Sequence, residues 1–467
     1  DRKSTGSYYT PPELVAQLIK SALEPVIGEC LRQSQNTDND VETFHGTSLS
    51  VSETSPNQTA EQALLSLKVC DPACGSGHFL LAAARRIGKE LAKLRTGEAQ
   101  PGPEPLRKAV RDVIQNCIYG VDLNPLAVDL CKVALWIEGF CQGYPLNFLD
   151  HRIKCGNSLV GVLDLNCLQE GIPDKAYKAV TGDEKTIAQQ KTRENKQQRK
   201  DLETGQLSLN FHQLEESREE YVEAFREVGN LVETTATAYR EKEQRYRSSR
   251  HNPNWWRDYT ACNLWTAAFF MPLTEQNLQL LPTTALLQRL LAGEEKGLTE
   301  VIEAAEKLAE EKRFFHWELE FPEVFEEGWF DCILGNPPWE RIKLQEKEFF
   351  ASRDPEIAKA KNSAARKKLI QKLPENNPLL AEEWEQAKHF SDAQTKFIRE
   401  SGRYPLTATG DVNTYAVFAE TDRNLVGNKG RAGVIVPTGI ATDDTCKQFF
   451  GDLIKTQNLV SLYDFAN

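Results

Sequence analysis

Short apolar runs alternate along this chain with segments in which apolar residues recur at helical spacing. Runs at 67–71, 117–122, 152–155 and 329–334 are followed by polar or glycine-containing loops, and two further runs lie at 433–436 and 459–463. Helical spacing follows the first two runs, at 79–94 and 125–137. Strands that alternate with helices predict a doubly wound, mostly parallel α/β sheet.

The segment before the first strand predicts a turn and then a helix. Thr10-Pro11-Pro12 begins it, because proline fits the first helical turn, and Leu14, Leu18 and Leu23 give the helix an apolar face. Residues 33–60 are rich in Ser, Thr, Asn, Asp and Gln and predict a surface loop.

The alternation breaks between the third and fourth strands. Apolar residues recur at helical spacing at Val222, Phe225, Val228 and Val232, and again at Leu298, Val301, Ile302, Ala305 and Leu308. Residues 181–250 hold 13 Lys and Arg against 14 Asp and Glu, which favours a solvated helical scaffold over a DNA-binding surface. We therefore predict three parts: 1–160, a large helical insertion at 161–313, and 314–467.

Composition and charge limit the function classes. The 467 residues carry a formal charge of −12, which excludes a protein dominated by a basic surface but not a local basic groove. No run of about 18 apolar residues occurs, so no membrane span is expected. The eleven cysteines are irregularly spaced and form no Cys-x-x-Cys pair, which predicts reduced, mostly buried thiols, no metal site and a cytoplasmic location.

Polar residues follow several predicted strands at their carboxyl ends, where open α/β sheets bind ligands. The glycine loop Asp71–Gly77 follows the first strand and lets backbone approach a ligand closely. Leu80 stands where a pyrophosphate-binding loop has glycine, which argues against a dinucleotide site. Asp122 ends the second strand, where its carboxylate could accept hydrogen bonds from ribose hydroxyls. Asn157 follows the third strand, where its amide could contact adenine.

The most specific motif is Asn336-Pro337-Pro338-Trp339, directly after the fourth strand. The two prolines fix the backbone and remove two amide donors, so that mainly acceptors remain, namely the Asn336 side-chain oxygen and the Pro337 carbonyl. Two acceptors beside an aromatic plane suit a planar amino group, whose nitrogen they would make more nucleophilic. Trp339 could stack on a flipped base. A rigid turn with a core aromatic is the alternative interpretation.

Together these motifs resemble the gamma class of S-adenosylmethionine-dependent DNA adenine methyltransferases, which share a Rossmann-like sheet. The matching segments are Thr10–Pro12, Asp71–Gly77 with Phe79, Val121-Asp122, Gly156–Leu159 and Asn336–Trp339. The stretch from Phe321 to Phe325 is similar to methylases of type IIG restriction–modification enzymes. The resemblance covers 4–160 and 314–467 and does not extend to most of the insertion.

The resemblance implies a role for each matching residue. The catalytic residues would be Asn336, Pro337, Pro338 and Trp339. In the cofactor site, many members of the class carry Asp where this chain has Asn157. S-adenosylmethionine would be held by Tyr9 and Thr10 at its methionine part, by Asp122 at its ribose, by Asn157 at its adenine, and by Asp71, Ala73, Gly75, Gly77, Phe79, Leu123 and Ser158.

The expected partner is double-stranded DNA with a flipped adenine, together with subunits of a restriction or phage-defence system. Residues 341–372 carry a net charge of +6 directly after the catalytic motif, and Arg341, Lys343, Arg366, Lys367 and Lys368 are the predicted phosphate contacts. A solvated helix face would show the same run of charge.

Two parts of such an enzyme are not expected within this sequence. The family's seventh strand and its target-recognition domain would follow Asn467, so we predict a catalytic core that begins, without Met, inside a longer protein. No convincing nuclease motif is present.

Two other functions stay open. Asn-Pro-Pro-aromatic motifs also serve methylation of glutamine in release factors and of guanine in RNA, although those enzymes usually carry Tyr at the fourth position and lack the Thr-Pro-Pro segment. A cofactor-binding module without catalysis, within a defence complex, is the third possibility.

Overall fold

The computed structural model describes residues 10–41, 56–204 and 211–465. Its sheet has five strands, all parallel, in the order β3-β2-β1-β4-β5. The strands are β1 (Val69–Asp71), β2 (Ile118–Asp122), β3 (Ile153–Cys155), β4 (Phe330–Gly335) and β5 (Val426–Val434). The order reverses between β1 and β4, and a crevice at such a reversal is where open α/β sheets bind ligands.

Helices cover both faces of this sheet. Those before β3 are α1 (Pro12–Leu18), its π-helical continuation (Ile19–Leu23), α2 (Glu24–Val41), α3 (Pro56–Ser66), α4 (His78–Thr96), α5 (Pro103–Cys117) and α6 (Pro125–Glu138).

The chain between β3 and β4 is helical, as predicted. It contains 3-10 turns at Leu165–Leu168, Asp174–Tyr177 and Glu275–Asn277, and helices α7 (Lys185–Glu203), α8 (Phe211–Asn230), α9 (Ala236–Arg250), α10 (Pro253–Ala267), α11 (Thr284–Leu291), α12 (Thr299–Lys312), α13 (Trp317–Glu320) and α14 (Pro322–Glu326).

After β4 come further short helices and two long ones. They are α15 (Glu346–Ala351), α16 (Pro355–Ala358), α17 (Ser363–Gln371), α18 (Leu373–Asn376), α19 (Pro378–Glu400), α20 (Thr414–Leu425), α21 (Gly439–Thr442), a 3-10 turn (Asp444–Cys446) and α22 (Lys447–Lys455). No helix in the described ranges combines the length and the apolar composition that crossing a membrane requires.

One apolar core lies between the sheet and its first helices. Helix α4 buries Leu80, Ala83, Ile87 and Leu91 at intervals of three and four residues, against β1, β2 and α5. Burying a Leu or Ile side chain fully stabilises the fold by roughly 1.5–3 kcal/mol, so this face fixes where the loop before α4 lies.

The helical insertion shares a second core with the half of the chain that follows β4. Trp255, Trp265 and Phe269 of the insertion belong to the same cluster of buried residues as Phe397 and Val417. The insertion is therefore packed into the fold, although its predicted boundaries at 161 and 313 stay a prediction.

Buried ion pairs also join the insertion to the sheet. Glu320 bonds Lys154 of β3 at 2.7 Å and Arg250 of α9 at 2.8 Å. Within the insertion, Glu233 forms a second pair with Lys242 at 2.9 Å, in which neither side chain is exposed. Glu233 also accepts from the amide of Phe148, outside the insertion, at 2.7 Å. Because buried charges are costly unless they are paired, these contacts hold the two parts in one arrangement.

The sheet confirms four predicted strands and changes two. The fifth begins at Val426, in the polar residues before the predicted apolar run, because β4 pairs with it from there. The sixth prediction, 459–463, is wrong: these residues are not a strand, and Val460 and Leu462 are exposed. A strand exists only through pairing with a neighbour, and none of the described strands pairs with this segment.

Two smaller expectations are also corrected, and one is confirmed. Residues 33–41 and 56–60 are helical rather than loop, since α2 runs to Val41 and α3 begins at Pro56, while 42–55 lie outside the described residues. Val232 is exposed, because α8 ends at Asn230 before it. All eleven cysteines are free thiols, and most of them are buried.

Candidate active site

Four predicted site residues lie at the carboxyl edge of the sheet. Asp71 ends β1, Asp122 ends β2, and Asn336 follows β4 directly. Asn157 follows β3 and lies in a bridge to Phe314. Tyr9 lies outside the described residues. The parallel strands therefore bring together polar groups that are up to 265 positions apart in sequence.

The glycine loop is folded by hydrogen bonds between its own backbone and the two strand-end acids. Asp71 Oδ1 accepts from the Ala73 amide at 3.0 Å, and Asp122 Oδ2 accepts from the Gly75 amide at 2.9 Å. Gly75 has a φ of +52°, and a Cβ added there would meet nothing within 4 Å. Its backbone thus faces open space that a ligand can occupy.

Gly77 has a different, structural reason to be glycine. Its φ is +86° at the start of α4, and an added Cβ would lie 2.7 Å from the Cys131 sulfur of α6. Any side chain there would separate α4 from α6.

The Asp122 carboxylate keeps free acceptor capacity after its hydrogen bonds to the backbone. Its other oxygen, Oδ1, accepts from the Asn124 amide at 2.8 Å, so each oxygen has one backbone donor and a further lone pair. Burial raises the pKa of Asp122, while the Asn124 and Gly75 amides oppose that rise. The next residue, Leu123, is 53% exposed and offers an apolar side chain at the rim.

A second buried carboxyl group close enough to sense the charge of Asp71 was not predicted from the sequence, namely Asp422 of α20. Burial raises the pKa of Asp71 to about 8, an effect that the Ala73 amide reduces and Asp122 increases. Burial and the neighbouring Asp71 raise the pKa of Asp422 well above its usual range. Asp422 Oδ1 is buried and has no hydrogen-bond partner in the described part of the chain. The sequence signal for it is weak, because Asp422 stands between polar neighbours and is only at helical spacing from the apolar Phe418 and Leu425.

The Asn336 side chain is oriented by the Thr-Pro-Pro segment. Its amide nitrogen donates to the Thr10 hydroxyl at 3.1 Å, and Thr10 is buried. The nitrogen is thus used inside the protein, and Asn336 Oδ1 accepts from no group within the described ranges. The carbonyl oxygen is the part of the amide that can serve a substrate.

Trp339 is 50% exposed, so it is not the core aromatic of the alternative interpretation. Pro337, two residues earlier, is buried, while Pro338 is partly exposed. The loop therefore exposes part of an indole to solvent three residues after Asn336.

The far side of this loop is bonded to Thr414, which the sequence did not single out. The Thr414 hydroxyl donates to the Pro338 carbonyl at 2.5 Å and accepts from the Glu340 amide at 2.9 Å. Small polar residues, here Asn413 and Thr414, are typical of the start of a helix. They do not indicate which loop of the protein the start of that helix contacts.

Other predicted cofactor residues lie behind the loop. Phe79, in the first turn of α4, is buried in the core, and Ala73 is half-buried. Ser158 is buried and donates to the Pro72 carbonyl at 2.6 Å, so its hydroxyl supports the glycine loop. Asn157 Oδ1 accepts from the Leu159 amide at 3.2 Å. Phe79 and Ser158 therefore shape the loop from inside instead of facing the open space.

The basic segment divides into exposed and buried residues. Arg341, Lys343, Lys367 and Lys368 are exposed, and Lys368 lines a shallow depression of about 690 Å³ with Lys359 and Lys361. Arg366 is buried and contacts Glu346 at 3.4 Å. Its predicted phosphate contact is therefore corrected, because α17 turns this side chain inward.

No group of three or more His, Cys, Asp or Glu side chains is placed to hold a metal ion within the ranges that the structure describes.

Two sequence families match parts of the chain. Residues 50–206 match the family described as MmeI, DNA-methyltransferase domain, and residues 257–373 match the Eco57I restriction-modification methylase family. The first match contains β1 to β3 and the glycine loop, and the second contains β4 and the Asn336–Trp339 loop. Both halves of the site are thus similar to DNA methyltransferases of the restriction–modification type, and the five-stranded parallel sheet is consistent with a Rossmann-like methyltransferase fold.

Two curated proteins are also similar. One, from Methanocaldococcus jannaschii, bears the name of a type II restriction enzyme and methyltransferase and is 26% identical over 399 residues, 76% of this chain and 30% of the relative. The other, the adenine-specific methyltransferase PglX of Streptomyces coelicolor, is 44% identical over 71 residues, 15% of this chain and 5% of the relative. The chain thus spans less than a third of the length of either protein.

Proposed function

We propose that this chain is the catalytic part of a DNA methyltransferase that transfers a methyl group from S-adenosylmethionine to the exocyclic amino group of adenine, in a restriction–modification or phage-defence system. The observation that carries the proposal is the orientation of Asn336, whose amide nitrogen bonds Thr10 while its carbonyl oxygen accepts from no described group, in the same short loop as the exposed Trp339.

The proposed chemistry uses acceptors, which this loop supplies. An adenine amino group is a poor nucleophile, because its lone pair is delocalised into the ring. The Asn336 oxygen and the Pro337 carbonyl would accept its two hydrogens, which localises that lone pair on nitrogen. Trp339 would stack on the flipped base and hold its plane, a contact worth about 1–3 kcal/mol.

The residues at the sheet edge fit S-adenosylmethionine. Gly75 leaves open space at its α-carbon, and Asp122 keeps acceptor capacity suited to ribose hydroxyls. Asp71 and Asp422 are two buried carboxyl groups that influence one another, and no described cation is paired with either, which suits a positively charged ligand. When bound, S-adenosylmethionine would supply an electrophilic methyl group.

DNA would lie across the loop and the exposed cations that follow it. Arg341, Lys343, Lys367 and Lys368 stay our predicted phosphate contacts, and Lys359 and Lys361 join them because they line one depression with Lys368. The adenine preference draws support from the short PglX similarity.

A labelling experiment on the whole protein tests the proposal. Incubation with S-adenosylmethionine that carries an isotopic methyl label, followed by nucleoside analysis, should yield N6-methyladenine from duplex DNA. Label in cytosine, in RNA or in protein would redirect the proposal to another substrate, and absence of label with every substrate would favour a non-catalytic module.

A variant of the predicted ribose contact tests the cofactor assignment separately. Asp122→Ala removes both acceptor oxygens, and hydrogen bonds to a charged group are worth about 1.5–3 kcal/mol each. Calorimetry should therefore show weaker S-adenosylmethionine binding, and equal affinity would remove Asp122 from the site.

A further inference from the structure

Trp339 has little around it to fix its direction. Half of its surface is exposed, so packing restrains the indole only partly. The two prolines before it restrict their own backbone angles, but they do not restrict the angles of Trp339 itself. Something else must determine where this ring points relative to Asn336.

The Thr414 hydroxyl lies where it can fix the direction of the Trp339 ring. It donates to the carbonyl of Pro338, the residue before Trp339, and accepts from the amide of Glu340, the residue after it. The Glu340 carbonyl accepts from the Thr414 amide at 2.8 Å and, at 3.1 Å, is a second and longer acceptor for the Thr414 hydroxyl. One side chain thus bonds the backbone on both sides of Trp339 and uses its single donor and an acceptor lone pair to do so.

The contact continues beyond the loop. Arg341 forms an antiparallel bridge with Asn413, and the Ile342 amide donates to the Val412 carbonyl at 3.0 Å. The loop is therefore paired to a short extended segment that leads straight into α20.

Helix α20 is a rigid base for this contact. It packs against β4 and β5 and buries Val417, Phe418 and Leu425 completely or nearly so. The Asn336 end of the loop leaves β4, and the Trp339 end is bonded to α20, so both ends are tied to the same packed layers.

We propose that Thr414 is the positioning residue that sets the direction of Trp339 beside Asn336, through the two hydrogen bonds of its hydroxyl. The inference rests on the proposed function for its kinetic consequence but not for its structural one. Thr414 does not touch the reacting atoms, and it acts through the loop backbone.

Three variants isolate the hydroxyl. Thr414→Val keeps the shape and removes both bonds, whereas Thr414→Ser keeps the hydroxyl. Thr421→Val is the matched control, because Thr421 is a buried threonine of the same helix whose hydroxyl donates to the Val417 carbonyl, away from the loop. Thr414→Ala serves the same test if the valine variant does not fold.

The methylation rate in a single turnover should fall about 10–100-fold in Thr414→Val, because a displacement of about 1 Å in a positioned group can cost a factor of that size. The affinity for S-adenosylmethionine should stay within about twofold, and Thr414→Ser and Thr421→Val should keep rates close to that of the unmodified protein. Equal rates in Thr414→Val and Thr414→Ser would overturn the proposal.

A double variant tests whether Thr414 acts through the indole. In a Trp339→Ala background, Thr414→Val should slow methylation little further, since residues that act as a unit are not additive. Full multiplication of the two losses would mean that Thr414 acts elsewhere, and would overturn the role assigned to it.

A measurement without catalysis separates this proposal from the proposed function. In protein labelled with 5-fluorotryptophan, the fluorine signal that Trp339→Phe removes belongs to Trp339. That signal should narrow and move toward the position of a free indole in Thr414→Val, and stay in place in Thr414→Ser and Thr421→Val. An unmoved signal in Thr414→Val would overturn the proposal even if DNA is methylated, and a moved signal would support it even if DNA is not.

Discussion

Asp71 and Glu320 are both buried carboxyl groups, but their surroundings displace their pKa in opposite directions. At the interface between insertion and sheet, burial alone would raise the pKa of Glu320, but Arg250 and Lys154 outweigh it and lower that pKa to about 2. At the sheet edge no cation among the described residues opposes burial, and the pKa of Asp71 rises to about 8. The first carboxyl group has its partners inside the fold, and the second lacks one.

This difference distinguishes a structural charge from a functional one. A buried charge that only holds the fold together is expected with its counter-charge, because an unpaired one is costly. A buried acid kept without a cation lowers stability, and such groups are concentrated at functional sites. The two regions should therefore respond to mutation in opposite ways, the interface in stability and the site edge in activity.

The largest effect should come from Asn336→Ala. Removing the acceptor proposed for the substrate amine should lower the methylation rate by about 10²–10³-fold, the scale seen when one preorganised polar group is lost. Cofactor affinity by calorimetry and the melting temperature should hardly change, because Asn336 makes one side-chain bond within the described structure. A variant that methylates adenine at nearly the normal rate would contradict the proposed chemistry.

Glu320→Ala should instead lower the stability of the protein. Removal of one member of a buried ion pair costs about 3–5 kcal/mol, since Arg250 and Lys154 are left without their partner. Chemical denaturation should reveal this loss in the free energy of unfolding, while Glu138→Ala, which breaks a surface pair with Arg85, should cost at most about 1 kcal/mol. Similar losses for both variants would mean that the interface pair is not special.

The interface pair should also respond to acid. The folded pKa of Glu320 lies below its usual value of 4.5, so its stabilisation is present above pH 4.5 and is lost as pH falls toward about 2. Glu320→Ala should therefore lose less stability than the unmodified protein over that range, as measured by denaturation at several pH values.

Asp71→Asn should raise the stability of the ligand-free protein at neutral and alkaline pH. Because the folded pKa of about 8 exceeds the usual 3.8, the stability that Asp71 contributes is present below about pH 4 and is lost as pH rises to about 8. At alkaline pH the free energy of unfolding of the variant should therefore exceed that of the unmodified protein by about 1–3 kcal/mol. Urea denaturation at pH 5 and pH 8 measures this difference in the free energy of unfolding. The same pH dependence in both proteins would mean that the charge of Asp71 is paired in the folded protein.

The same acid should couple ligand binding to proton release. If a cationic part of S-adenosylmethionine lies beside Asp71, binding below pH 8 should release up to about one proton, and Asp71→Asn should release fewer. Calorimetry in buffers of different ionisation enthalpy counts the protons. Equal release by both proteins would show that Asp71 does not meet the cation.

The smallest effect is expected in the basic segment, where neighbouring residues reproduce the same contrast. Lys367 and Lys368 are exposed, and Arg366 is buried against Glu346. Replacing both lysines by Gln should weaken binding to all DNA sequences alike and flatten its salt dependence by up to about two units, with little effect on stability. Arg366→Gln should lower the melting temperature instead. An unchanged salt slope in the double variant would make this a simple solvated helix face.

The strand ends were predictable from sequence because polar residues follow apolar runs at 71, 122 and 336, and the parallel topology places such ends together. Contacts between distant segments were not. Nothing in the sequence near Thr414 indicates that its hydroxyl meets Pro338, 76 positions away. Arg366 shows the same limit: a run of cations predicts a charged surface, but only the rotation of α17 decides which side chain turns inward.

The predicted sixth strand failed for a related reason. Residues 459–463 have the composition of a strand, but strand formation depends on a neighbour with free hydrogen-bonding groups, and that is a property of the whole sheet. The cofactor residues behind the loop, Phe79 and Ser158, were placed by motif position alone, which does not distinguish a side chain that faces a ligand from one that supports the loop.

The adjacency of β1 and β4 has a consequence for synthesis of the protein. The Lys68 amide donates to Asp331 across 263 positions of sequence, and the whole insertion is translated between the two strands. At about 5–20 residues per second, β1 waits on the order of 10–50 seconds on the ribosome before β4 emerges. During that interval one edge of β1, with its apolar Val69 and Cys70, has no strand to pair with. The strand at the centre of the finished sheet is thus the nascent chain's exposed edge, where premature pairing with another chain would stop the site from forming.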